Sequence, residues 1–263
     1  MEGWGVADAY ERYMGRWSRQ VAHGFLRWLG APPDRSWLDV GCGSGALIEA
    51  VARCSRPRRL AAVDPSPGFA VHVAARLPGT ACAVARAEAL PLTDGSFEVV
   101  VAGPVLNFAD TGAALAEMRR TARSLVAAYV WNYGGRMELL QAFWPVAAEL
   151  DPAAVRLDEA RRFGASGRAE ALAAAFVAAG LREVEVEPVE ITMAFRDLDD
   201  CWSPFLGGRG PAPAYCATLD EEGRRALRRR LGETLPVGRD GSIRLAARAW
   251  APASCAGPAE VGR

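Results

Sequence analysis

Residues 38–45 read Leu38-Asp39-Val40-Gly41-Cys42-Gly43-Ser44-Gly45, a glycine cluster set between an apolar run and a helix-forming one. Ser36 to Val40 reads as a buried strand, and Ala46 to Cys54 as the helix that follows. Gly41 permits a sharp turn, Gly43 leaves room for a ligand to approach the backbone, and Gly45 allows close packing of helix on strand. A helix that opens on such a loop offers free N–H groups and a positive dipole end. The loop therefore predicts an open α/β sheet that binds a ligand at one edge.

The rest of the chain repeats that alternation. Strands are expected at Arg59 to Val63, Ala81 to Ala85, Phe97 to Ala102 and Leu125 to Trp131, over 181–195, and at Ser242 to Trp250. Helices are expected over 7–29, from Gly68 to Leu77 and from Thr111 to Arg123, and over 136–150 and 168–179. These elements predict a Rossmann-like, mostly parallel seven-stranded sheet with helices on both faces. A single domain is expected over 1–252, with a core at 36–131, insertions at 132–167 and 197–240, and a flexible tail at 253–263.

Composition narrows the function. The formal net charge is zero, so no broad basic field awaits nucleic acid. Arginines from Arg224 to Arg230 are flanked by Glu221, Glu222 and Glu233 and read as a solvated helix face. The six cysteines form no CxxC pair and only two histidines are present, so no metal site is expected. Scattered thiols, the lack of a signal-like apolar start and the lack of an ~18-residue apolar run predict a cytoplasmic protein with no membrane partner.

Asp64 ends the second strand about 20 residues past the glycine loop, where a carboxylate can accept from both hydroxyls of a ribose. It can equally cap the following helix, a role open also to Ser66. Both signals suit a dinucleotide or S-adenosylmethionine (SAM). The loop spacing is GxGxG rather than the GxGxxG of a pyrophosphate loop, and Asp39 precedes it. An acid there welcomes an ammonium group and repels a pyrophosphate.

The run from Trp37 to about Trp131 resembles the class I SAM-dependent methyltransferases, in particular the branch of ubiquinone/menaquinone-biosynthesis enzymes. The matching motifs are Leu38 to Gly45, the segment AVDPS that contains Asp64 and Pro65, and the block from Ala87 to Val100. The resemblance implies SAM as cofactor, held by Asp39, Gly41, Cys42, Gly43, Gly45, Asp64 and Pro65. It places Ala87 and Glu88 against adenine and Pro104 by the methionine end, under a lid helix at the N-terminus (1–35) that carries Tyr10. It also implies methyl transfer to a small-molecule acceptor by in-line displacement. One departure is a turn about two residues short, where Arg123-Ser124 runs directly into Leu125.

Trp131, Tyr133, Phe143, Trp144, Trp202, Phe205 and Tyr215 concentrate outside the expected core strands. They either wall an apolar acceptor pocket or close the core of the cap. No general base is singled out. His23 and His72 read as surface or packing residues, and Tyr13, Tyr133 and Glu138 carry no supporting pattern. Two other readings compete, a dinucleotide-dependent oxidoreductase and a non-catalytic SAM-binding protein. The loop spacing opposes the first, and the intact loop with Asp64 says nothing about turnover.

Overall fold

The computed structural model describes residues 14–207 and 210–256. Tyr10, Tyr13 and the rest of residues 1–13 of the expected lid lie outside these residues. In chain order come α1 (Arg16–Leu29), β1 (Ser36–Val40), α2 (Ala46–Cys54), β2 (Arg59–Asp64), α3 (Pro67–Arg76), β3 (Ala81–Val84) and β4 (Phe97–Ala102). Then follow α4 (Thr111–Thr121), β5 (Ala122–Ala128), β6 (Val130–Trp131), α5 (Glu138–Leu150), α6 (Glu159–Phe163), α7 (Ala169–Ala178) and β7 (Arg182–Phe195). The chain finishes with α8 (Leu198–Trp202), α9 (Pro211–Thr218), α10 (Glu221–Thr234) and β8 (Ile243–Cys255).

Strands β3, β2, β1, β4 and β5 run parallel in that spatial order. The antiparallel strand β8 follows, pairing with β5, β6 and β7. Among the described residues the sheet thus has eight strands, not the seven expected. The extra strand comes from a break in one expected strand. Val126 pairs with Ser254 and Val130 with Trp250, so β5 and β6 share one register on β8. The pairing lapses only at Ala128 and Tyr129, opposite Ala251 and Pro252. Pro252 has no N–H to give there. Tyr129 instead donates its N–H to the Ala102 carbonyl of β4 at 3.1 Å.

Alternate strand residues feed two cores. Val99, Val101, Ala127, Tyr129 and Trp131 face one layer with α1, α2 and α5. Val100, Ala102, Val126, Ala128 and Val130 face the other with α4 and α7. The period of two along each strand produces this division. β1 is buried along its whole length, as a central parallel strand should be, and its burial takes in Ser36 and Asp39.

The short turn before β5 is resolved without a loop. Helix α4 ends at Thr121, and Ala122 is already extended strand. Arg120 ties the region down, donating to the carbonyls of Leu90 and Leu92 and to Asp94 and Glu117. The last strand runs to Cys255, five residues beyond the expected end at Trp250, so the start of the expected flexible tail is corrected. Ala253 and Ser254 are buried because β8 is gripped by β5 on one side and β7 on the other. On α10, Arg225, Arg228 and Arg230 are paired with acidic neighbours, as a solvated face should be. Among the described residues no helix is long and apolar enough to cross a membrane.

Candidate active site

The parallel strands deliver their C-terminal ends to one edge, where open α/β sheets bind ligands. The glycine loop leaves β1 there. Gly41 and Cys42 donate to the Val63 carbonyl at 2.8 and 3.0 Å, which fastens the loop to β2. Gly41 adopts φ +72°, and a Cβ there would come within 2.6 Å of Val105. Gly43 adopts φ +52°, and a Cβ there would meet nothing within 4 Å, so its missing side chain opens space. A Cβ on Gly45 would approach Val73 on α3 at 3.2 Å, so the close packing it permits is between helices rather than helix on strand.

This space is a cleft of about 630 Å³, counting its open mouth. Of the expected cofactor residues, Asp39, Gly41, Cys42, Gly43 and Pro104 line it. Gly45, Asp64, Pro65, Ala87 and Glu88 stand off its wall. Asp64 braces the loop, its two oxygens accepting from the N–H groups of Gly43 at 2.9 Å and Ser66 at 2.8 Å. The N-cap position of α3 is Ser66, without a side-chain capping bond, so Asp64 does not cap the helix, and each of its oxygens keeps a second lone pair. Pro65 is exposed and Ala87 is buried. Glu88 accepts from the Asp110 N–H and the Arg86 guanidinium, both at 3.1 Å, and its own backbone N–H first, then these two, hold its carboxyl below the usual range.

The expected acceptor residues lie elsewhere. Trp131, Tyr133, Phe143, Trp144, Trp202 and Phe205 are all buried in the core, and none lines the cleft. Phe143 stacks on Phe205 with ring centroids 4.5 Å apart and meets Trp144 edge-on at 5.0 Å. These aromatics fill one another's surfaces, which corrects the expectation of an open wall. Of the candidate bases, His23, His72, Tyr133 and Glu138 are not on the cleft wall, and Tyr13 lies outside the described residues. His23 is exposed with Nδ1 against the Arg19 carbonyl, His72 is buried on α3, and Glu138 accepts from the Ala246 N–H at 2.6 Å.

The segment from Gly103 to Phe108, expected to run past the methionine end, puts Gly103, Val105 and Phe108 on the cleft wall beside Pro104, whereas sequence reasoning missed Ser18, Phe69 and Tyr129 there. Two signals existed. Ser18 is a polar residue on the apolar stripe of Trp17, Val21, Ala22 and Phe25, and Tyr129 carries a hydroxyl within an otherwise apolar strand. Phe108 is 64% exposed, which is unusual for a phenyl ring beside a cleft.

The electrostatics centre on Asp39. It is fully buried, and neither carboxylate oxygen has a hydrogen-bond partner among the described residues. Burial first, and the charge of Asp64 second, push its carboxyl up to about 8; the Ile48 N–H offsets part of this without closing a hydrogen bond. An orphan acid lining a cleft is a ready seat for a cation. Burial likewise pushes the Cys42 thiol up, so it shapes the wall as a neutral group.

A stability consequence follows for the ligand-free protein. Below pH 4 Asp39 is protonated whether folded or unfolded. Between pH 4 and 8 only the unfolded chain ionises it, so stability falls as pH rises, and above pH 8 the cost is complete. Asp39→Asn cannot ionise and should exceed the parent in stability by at least ~1 kcal/mol at pH 8.5, with the gap closing toward pH 4. Melting curves between pH 4 and 9 check this, and a gap independent of pH contradicts it.

Residues 38–127 match the family model described as the methyltransferase domain. A malonyl-[acyl-carrier protein] O-methyltransferase of Geobacter sulfurreducens is 35% identical over 162 residues, covering 60% of this chain and 59% of that protein. An uncharacterized methyltransferase of Mycobacterium tuberculosis is 31% identical over 115 residues, covering 44% and 43%. The chain thus spans about half the length of these curated relatives. A solved Haemonchus contortus phosphoethanolamine N-methyltransferase 2, in complex with phosphomonomethylethanolamine and S-adenosylhomocysteine, shares the fold at TM-score 0.57 and 15% identity, covering 96% of this chain and 57% of that one. The comparisons show a methyltransferase domain over residues 38–127 and the fold that goes with it. The residues of its cleft fit the amino-acid end of SAM: Asp39 is an unpaired acid for an ammonium, and Gly43 leaves open the space beside the loop.

Proposed function

We propose that the chain transfers a methyl group from SAM to a small, uncharged, apolar or aromatic acceptor. The observation that carries this reading is a single cleft holding both the orphan acid Asp39 and the exposed ring of Phe108. Phe108 meets Phe163 edge-on at 5.1 Å, and Phe163 lies 5.7 Å from Tyr133. This aromatic run extends beyond the cleft and suits a flat apolar face. Of the aromatics expected to meet the acceptor, only Tyr133 belongs to it. The described lining residues include no basic side chain to meet an acceptor carboxylate, which favours an uncharged acceptor over a malonyl group. An aromatic acceptor also agrees with the resemblance to the quinone-biosynthesis branch.

When bound, SAM supplies its own electrophile, a methyl on sulfonium, for in-line displacement. The chain's task is then to bind, orient and exclude water. Asp39 receives the ammonium, Gly43 admits the ligand to the backbone, and Asp64 holds the loop while presenting lone pairs to a ribose. Pro65, Ala87 and Glu88 are proposed beside the nucleoside, and Tyr10 in a covering helix. We further propose a single domain that takes in all of β8 to Cys255, working in the cytoplasm without nucleic-acid or membrane partners, in line with its zero net charge.

Calorimetry with SAM tests the first half of the reading. Labelled SAM incubated with a metabolite extract, followed by mass spectrometry, identifies the acceptor. With that acceptor, Phe108→Ala should raise KM about tenfold and leave SAM affinity within twofold. Equal losses for both ligands, or faster methylation of RNA or protein than of any small molecule, would overturn the reading.

A further inference from the structure

We infer that Ser18 is a cofactor-binding residue, its hydroxyl donating to the carboxylate at the methionine end of SAM. This rests on the SAM reading above and goes beyond the residues that the loop motif supplies.

Ser18 is 1% exposed, and its Oγ has no hydrogen-bond partner among the described residues. A serine within a helix ordinarily satisfies its hydroxyl on a carbonyl one turn back or in bulk solvent, and this one makes no such carbonyl bond and is shut off from the surface. It lines the same cleft as Asp39. Among the described lining residues, the buried side-chain polar atoms without partners are Ser18 Oγ and the two oxygens of Asp39. Their chemistry is complementary. An ionised carboxylate can only accept, whereas a hydroxyl can donate. The amino-acid end of SAM carries one ammonium and one carboxylate on a single carbon, and so demands one acceptor and one donor close together.

The hydroxyl is also held in place. Val21, Ala22 and Phe25 anchor α1 in the core. Trp17, beside Ser18, meets Phe195 edge-on at 5.2 Å, and Arg16 pairs with Asp200 at 3.1 Å. Ser18 therefore sits on a rigid element, which suits a donor that must be waiting in position.

The test measures binding of SAM, S-adenosylhomocysteine and decarboxylated SAM to the purified full chain. Decarboxylated SAM keeps the amine and lacks only the carboxylate. Ser18→Ala should weaken SAM and S-adenosylhomocysteine about tenfold and leave decarboxylated SAM within twofold, while Ser18→Thr should restore most of the loss. Asp39→Asn should weaken SAM and decarboxylated SAM together. Should Ser18→Ala be partly unfolded, the ratio of the two affinities still reports the contact, because both ligands meet the same folded fraction. The inference falls if Ser18→Ala binds SAM within twofold of the parent, or if it weakens both ligands alike. Absence of SAM binding by the unaltered chain would overturn the cofactor reading, and this inference with it.

Discussion

Gly43→Val is expected to lower SAM affinity at least 100-fold while leaving the chain folded. Gly43 stands at φ +52° and donates its N–H to Asp64. A valine pays twice there: its branched Cβ is strained at positive φ, at roughly 1–3 kcal/mol, and its methyl groups enter the space that a ligand needs. Since a Cβ meets no protein atom within 4 Å, the damage should appear in binding more than in melting. Calorimetry and a thermal scan separate the two. A folded variant that binds SAM within threefold of the parent shows that the ligand lies elsewhere.

Trp144→Ala should cost about 3–5 kcal/mol of stability, lowering Tm by roughly 10 °C. Trp144 is 2% exposed, packs edge-on against Phe143 and donates its indole N–H to buried Glu159 at 2.5 Å. Truncation opens a cavity and takes a donor from a buried carboxylate at the same time. SAM affinity, measured where the variant is still folded, should not change. A variant melting within 2 °C of the parent would remove Trp144 from the core and restore it as a candidate for the acceptor wall.

The contrast between these residues shows what a sequence can reveal. Gly43 was legible because strand, glycines and helix are contiguous, and local geometry alone gives the loop its purpose. β1, α2 and β4 likewise have the bounds expected from their sequence, being apolar runs punctuated by turn residues. Trp144, Trp202 and Phe205 were ambiguous because aromatic density signals burial without saying against what. Only the tertiary packing of α5, α8 and α9 turns them inward. The end of β8 was illegible for a related reason. Pro252 and the small residues around it look like a chain stopping, and their burial is imposed by β5 and β7, which lie far away in sequence. Ser18, Phe69 and Tyr129 come from three distant segments that meet at the cleft only once the sheet has formed.

The missing rung opposite Pro252 has a mechanical meaning. A sheet resists bending where every strand is laddered on both sides, and here β8 grips β5 below the gap and β6 above it in one register. Compliance is therefore concentrated at Ala128 and Tyr129, and Tyr129 is a wall of the cleft. Toward β8 that wall makes no ladder bond, and it is held on the other side through the Tyr129 N–H and the Ala102 carbonyl of β4. The cleft thus has one wall tied on a single side, facing a glycine loop that is fastened to β2.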